Sequence, residues 1–302
     1  MNVNVNAVRR VRYEMMYKTE SELRARVRAL TSRYGARVSI NLPNKVKHED
    51  VMSYVDVVRD IIADVDVVAH YSVKNNYVTD CSACAMKVRA FAMKLCDRGI
   101  TRALLVSGSA AGGRRANDAV EILRRLATDR EHEEFRRDSR RLGFLFECAF
   151  NPYFPKEEDL EREYARLEKK LASGLVGGIW LQLGSDCDAL ERALVRVKEL
   201  CARSTDAPVR MHGSVFVPSN QLLARMRFRP WNGVFLSKEY LSSVKSAEEI
   251  TMKQLKIFAR HGVIPFIESG LATDEDFQRC ERLLSAYDVM DKVETTSGES
   301  VW

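Results

Sequence analysis

The chain has 302 residues, 46% of them apolar, with only 7 prolines and 15 glycines, which suits one large α/β core or two small ones. No apolar run approaches the ~20 residues of a membrane-spanning helix, and the N-terminus lacks the apolar stretch of a secretory signal, so a cytoplasmic protein is expected. The net charge of +6 is interleaved along helices, as in Glu161-Arg162-Glu163, without the aromatic-studded basic stripe that would point to nucleic acid.

The first strand, expected over Val11–Tyr17, carries Glu14, a carboxylate that is costly to bury unpartnered. Ser21 reads as the N-cap of a following helix that begins Glu22-Leu23-Arg24 and stops at Gly35, where glycine supplies a left-handed residue. Strands are then expected over Val38–Leu42 and Val67–Ser72. Cys81 and Cys84 form a C-x-x-C without a second pair or nearby histidine, so they read as two packed thiols rather than a metal site. Seven scattered cysteines in all suit a reduced compartment.

After Gly99 a strand at Ala103–Gly108 runs into Ser109-Ala110-Ala111-Gly112-Gly113-Arg114-Arg115 and a helix at Asp118–Leu126. Small residues before a helix suit either a phosphate cradle or a plain flexible loop, and the Walker lysine is absent. The pattern continues with a strand at Phe144–Phe150, a helix at Leu160–Leu171 closed by Gly174, a strand at Gly178–Leu183 and a helix at Leu190–Leu200. A strand at Val209–Val217 precedes an irregular stretch, Phe228–Ser246, expected to be an extended loop. A helix at Ile250–Phe258, the stop at Gly262 and a strand at Val263–Glu268 end the series, and residues 1–9 and 293–302 are expected to fray.

Eight strands, each followed by a helix and with no break in composition, predict a single (β/α)8 TIM barrel spanning residues 1–302. The competing open, doubly wound sheet lacks its G-x-G-x-x-G turn after strand 1. In a barrel the C-terminal ends of the strands face the active site. Those ends hold Glu14, Asn41, His70, Ser107-Gly108-Ser109, Phe150, Gln182 and His212, a polar set drawn from separate strands.

Taken in order, these segments resemble the catalytic barrel of the methylenetetrahydrofolate reductases. The likeness rests on Tyr13-Glu14-Met15-Met16, Ala69-His70-Tyr71, the Gly99–Gly108 strand, Ala149-Phe150-Asn151-Pro152-Tyr153, Lys169-Lys170-Leu171-Ala172-Ser173-Gly174 with Leu181-Gln182, and Val215–Asn220. It implies an enzyme of one-carbon metabolism and methionine biosynthesis that passes hydride from NAD(P)H through FAD to 5,10-methylenetetrahydrofolate. Glu14 would be the acid that helps open the folate's five-membered ring. Asn41, His70, Ser107, Gly108, Ser109, Phe150, Arg166, Lys169 and Lys170 would hold FAD, while Gln182 and Gln221 would place the folate or the nicotinamide.

The chain departs from the family pattern in three places. Ser107-Gly108-Ser109 stands where the family has Arg-Gly-Asp, Asn41 replaces a threonine, and Gln221 replaces a phenylalanine. Loss of charges beside flavin and pterin motivates an alternative: a flavin-free one-carbon enzyme, or a non-catalytic partner subunit using the Phe228–Tyr240 stretch. A folate as small-molecule ligand, no nucleic acid or membrane, no metal, and a homo-oligomer or partner subunit complete the expectations.

Overall fold

A computed structural model describes residues 11–296 except 37, 48, 109–116 and 206, with the backbone alone from 288 onward. Eight strands are present: β1 Arg12–Glu14, β2 Ser39–Leu42, β3 Asp66–Ser72, β4 Arg102–Val106, β5 Leu145–Phe150, β6 Val176–Leu181, β7 Arg210–Val215 and β8 Ile264–Ile267. Each pairs in parallel with the next, and β8 returns to β1 with Arg12 opposite Phe266, which closes the barrel. The open sheet is thereby excluded. The first strand is shorter than expected: Met15 N–H still bonds Asn41 C=O at 3.0 Å, after which the chain turns into its first helix.

That helix, α1 Glu20–Tyr34, is capped by Thr19 rather than Ser21. Thr19 Oγ1 accepts the Glu22 N–H at 3.2 Å, satisfying one helix-start donor, while the Glu22 carboxylate accepts the Lys18 N–H at 2.8 Å and ties the residue before the cap to the first turn. The next helices are α2 Val51–Ile61 and α3 Cys81–Cys96. Two helices, α4 Ala119–Thr128 and α5 Glu133–Leu142, join β4 to β5, and α6 Glu157–Leu171 and α7 Cys187–Ser204 follow β5 and β6.

After β7 come α8 Asn220–Phe228, α9 Lys238–Ser242 and α10 Val244–His261, and α11 Asp274–Thr296 ends the described chain. The stretch expected as a loop therefore contains the end of α8, all of α9 and the start of α10, because Ser237 and Ser243 each cap a new helix. Residues 293–296 are helical rather than frayed, whereas 1–9 and 297–302 lie outside the described residues. Gly35, Gly99, Gly174 and Gly262 all take positive φ at the expected helix stops. No helix among the described residues is long and apolar enough to cross a membrane.

Alternation along each strand separates two apolar bodies. The larger lies between the sheet and its helices; Tyr13 belongs to it, stacked on Tyr34 of α1 at 5.5 Å. Cys84 is packed there too, and the Cys81 thiol contacts the Asn117 side chain. The smaller fills the lumen with Val68, Leu104, Trp180 and Phe266. Gly178 on β6 is needed there, since a Cβ would stand 2.9 Å from the Glu147 carboxyl carbon of β5.

Candidate active site

Position parity places Arg12 and Glu14 on the lumen side of β1, with Tyr13 between them facing out. Arg12, only 2% exposed, sets the floor. Its Nη1 lies 2.5 Å from Asp66 Oδ2, and its Nη2 donates to Ile40 C=O at 3.1 Å and Asp66 C=O at 3.2 Å. Arg102 bridges Asp66 and Glu147, and Glu147 Oε2 accepts the Trp180 indole N–H at 2.6 Å. Burial by itself would raise the Asp66 carboxyl, but Arg12 and Arg102 overcome it and hold it well below the usual carboxylate range.

One step higher, Trp180 stacks on His212, centroids 4.0 Å apart. Burial, then Arg12 and Arg102, drive His212 far below its ordinary pKa, so the ring is neutral. His212 therefore lies mid-lumen, below the mouth where its place in the strand had suggested. Arg12 Nε donates to Asn41 Oδ1 at 2.8 Å, and Asn41 Nδ2 meets His70 Nε2 at 2.9 Å. Burial, Arg12 and Lys45 push His70 down to about 3, so it too is neutral.

The mouth itself is acidic. Glu14 from β1 and Glu268, just past β8, interact at close range, and two carboxyls sharing one site cannot both ionise cheaply. Burial first, then the Glu268 charge, raise Glu14 to about 8, with Lys45 partly opposing. Glu268 is also raised by burial, against a hydrogen bond from Ser214. Lys45, on the loop after β2, reaches Met15 C=O at 3.3 Å and lies over the Tyr17 ring at 4.7 Å. Glu14 thus enters the neutral range as a protonated acid, through burial and through Glu268.

Beside this mouth, the turns after β5 and β6 and the chain from Met226 to Leu241 enclose a cleft of about 610 Å3, lined by Tyr153, Phe154, Phe235 and Arg192. Asn151 Nδ2 donates to Gly233 C=O at 2.9 Å, and Trp231 packs edge-on against Phe216 at 5.4 Å, fixing the cleft's outer wall to the barrel.

Of the residues singled out from sequence, the structure gathers Glu14, Asn41 and His70 at this mouth. Ser107 Oγ accepts the Ala119 N–H at 3.0 Å and anchors the start of α4. Gly108, at φ 74°, stands where a Cβ would lie 2.7 Å from Lys74 Cβ. Ser109 and the glycine-rich turn through Arg115 lie outside the described residues. Phe150 faces the helix layer, 5.0 Å from Tyr164. Lys170, 5% exposed, donates to Ala149 C=O at 2.7 Å, Arg166 pairs with Asp118 at 2.7 Å, and Lys169 is exposed. Gln182 turns its Oε1 back to the Leu183 N–H at 2.9 Å, and Gln221 is exposed in the first turn of α8.

Phe150, Arg166 and Lys170 are thus committed to the protein's own groups and offer no cradle for an FAD ring or pyrophosphate as they stand. Among the described residues, no three of His, Cys, Asp and Glu gather as a metal would require. Sequence reasoning passed over Glu268, which the same strand-end rule picks out. It also passed over Arg12, Asp66, Arg102, Glu147 and Trp180, whose in-strand polarity was the available signal.

No family model matches the chain, nor does any curated protein. Solved structures do. A Clostridium thermocellum protein that binds two copies of 5-methyl-5,6,7,8-tetrahydrofolic acid superposes with TM-score 0.60 at 12% identity, over 93% of this chain and 94% of that one. The GH99 endo-alpha-mannosidase from Bacteriodes thetaiotaomicron superposes with TM-score 0.55 at 14% identity, over 92% and 86%. At such identities the likeness is one of fold.

Proposed function

We propose that the protein is a one-carbon enzyme that binds a reduced folate over the C-terminal mouth of the barrel and acts on it in the manner of a methylenetetrahydrofolate reductase. The observation that carries this reading is the Glu14–Glu268 pair, in which Glu14 keeps its proton to about pH 8. Opening the five-membered ring of 5,10-methylenetetrahydrofolate breaks a C–N bond, and the departing nitrogen must take up a proton as it leaves. Glu14 supplies that proton and regains it from solvent. The exposed iminium carbon then accepts a hydride that originates in NAD(P)H, giving the 5-methyl product. The fold neighbour's bound ligand is that product, which supports the choice of substrate.

FAD is the hydride carrier that the family resemblance implies. Three of its expected partners, Phe150, Arg166 and Lys170, are engaged elsewhere, which favours the flavin-free form of the reading. Equilibrium dialysis with 5-methyltetrahydrofolate, together with an absorbance spectrum before and after adding FAD, tests both points. Wild type and Glu14→Gln should bind the folate comparably, while the variant loses NAD(P)H-dependent turnover by ~10²–10⁴-fold. Absence of folate binding by the wild type would sink the reading; a flavin spectrum would restore the FAD form of it.

A further inference from the structure

We propose that Asn41, itself held by Arg12, is a positioning residue that fixes His70 as the tautomer with its proton on Nδ1, so that the mouth presents an N–H donor to its ligand. Two of the three groups in this chain can only donate. An arginine side chain has five N–H donors and no acceptor, so the Asn41 atom facing Arg12 Nε at 2.8 Å must be the carbonyl oxygen. The amide then turns its NH2 toward His70 Nε2, 2.9 Å away. An NH2 group also only donates, so Nε2 must bear the lone pair and the ring proton must sit on Nδ1.

Arg12 has no freedom to release Asn41. Three of its other four donors are tied to Asp66 and to the Ile40 carbonyl, on the floor of the lumen. The rings of Trp180 and Phe266, 6.3 and 6.5 Å from that of His70, do not compete for its proton. The only hydrogen bond described for the His70 ring is the one at Nε2, which leaves Nδ1–H for a ligand of the mouth. A ligand that reaches Nδ1 would meet a donor and be selected for an acceptor at that point, such as the oxo group or an unprotonated ring nitrogen of a pterin. The identity of that ligand rests on the folate reading; the tautomer does not.

The test is a long-range 1H–15N correlation spectrum of the ligand-free protein, with the His70 signal assigned among five histidines by its loss in His70→Gln. Wild type should show the Nδ1–H pattern, unchanged from pH 5 to 8. Asn41→Asp offers Nε2 an acceptor in place of a donor, so Nε2 should gain a proton; Asn41→Leu, which removes the constraint, should show a mixture. Affinity for 5-methyltetrahydrofolate should fall about tenfold in Asn41→Asp. A wild-type spectrum with Nε2–H, or with both tautomers, would overturn the proposal even if neither variant folds. Equal affinity in wild type and Asn41→Asp would overturn the ligand-selecting role, whereas no folate binding by wild type, with the Nδ1–H pattern intact, would refute only the folate reading.

Discussion

Replacing Glu14 by glutamine should make the protein more stable, by an amount that grows with pH. The carboxyl is raised from 4.5 to about 8 in the folded state, chiefly by burial and by Glu268. The folded state therefore binds this proton more tightly than the unfolded chain does. The favourable contribution is therefore complete below pH 4.5 and is lost as pH rises through the folded value. At ~1.4 kcal/mol per pH unit, the raised value costs the native state, relative to an unfolded chain that ionises freely, up to ~5 kcal/mol above pH 9 and ~3 kcal/mol at pH 7. Solvent at the mouth screens part of this, so a gain of ~2 kcal/mol for Glu14→Gln at pH 7 is the working figure. Glutamine matches the protonated acid in shape and cannot ionise. Urea unfolding at pH 5, 7 and 8.5 reads the difference directly: small at pH 5, largest at pH 8.5, with the variant's stability flatter across the range. Equal stabilities at pH 8.5 would mean that Glu14 does not hold its proton into the neutral range, and its role as acid would fall with that result.

Two other expectations follow from the same contacts. Glu268→Gln removes the charge that helps raise Glu14, so the Glu14 carboxyl should titrate lower by ~1 pH unit in 13C spectra, and the alkaline limb of the pH–rate profile should move down with it. Glu147→Leu leaves Arg102 with one carboxylate partner fewer and strands the Trp180 N–H inside the lumen, so urea unfolding should show a loss of ~3 kcal/mol; a loss under ~1 kcal/mol would mean that the floor is not held by these contacts.

The barrel was legible because its signals are local: short β-branched runs, helical spacing between them, and glycines such as Gly99 and Gly262 where helices stop. Glu14, Asn41 and His70 were legible through one further rule, that strand ends converge on one face. What escaped depended on side-chain parity and on closure. Phe150 and the lumen-facing Ala149 are neighbours in sequence, and one residue of slip in the expected parity exchanges the faces; Phe146, Cys148 and Phe150 all belong to the outer body. Lys170 looked available for an anion because a lysine near a helix end usually is; only the packed structure shows its ammonium spent on the Ala149 carbonyl. Arg12, Asp66, Arg102 and Glu147 come from strands 1, 3, 4 and 5 and become partners only once the sheet closes on itself. Thr19 was hidden by Ser21, an equally good cap by composition, and the choice was made by the reach of Glu22 back to Lys18.

The Arg12–Asp66–Arg102–Glu147 floor, roofed by Trp180 and His212, also governs traffic. It stoppers the barrel at its N-terminal end, so the lumen is a cup with one rim rather than a tube. Whatever reaches Glu14 must arrive and depart by the same opening. Two reactants that both need that carboxyl have to take turns, and a product that lingers there blocks the next arrival.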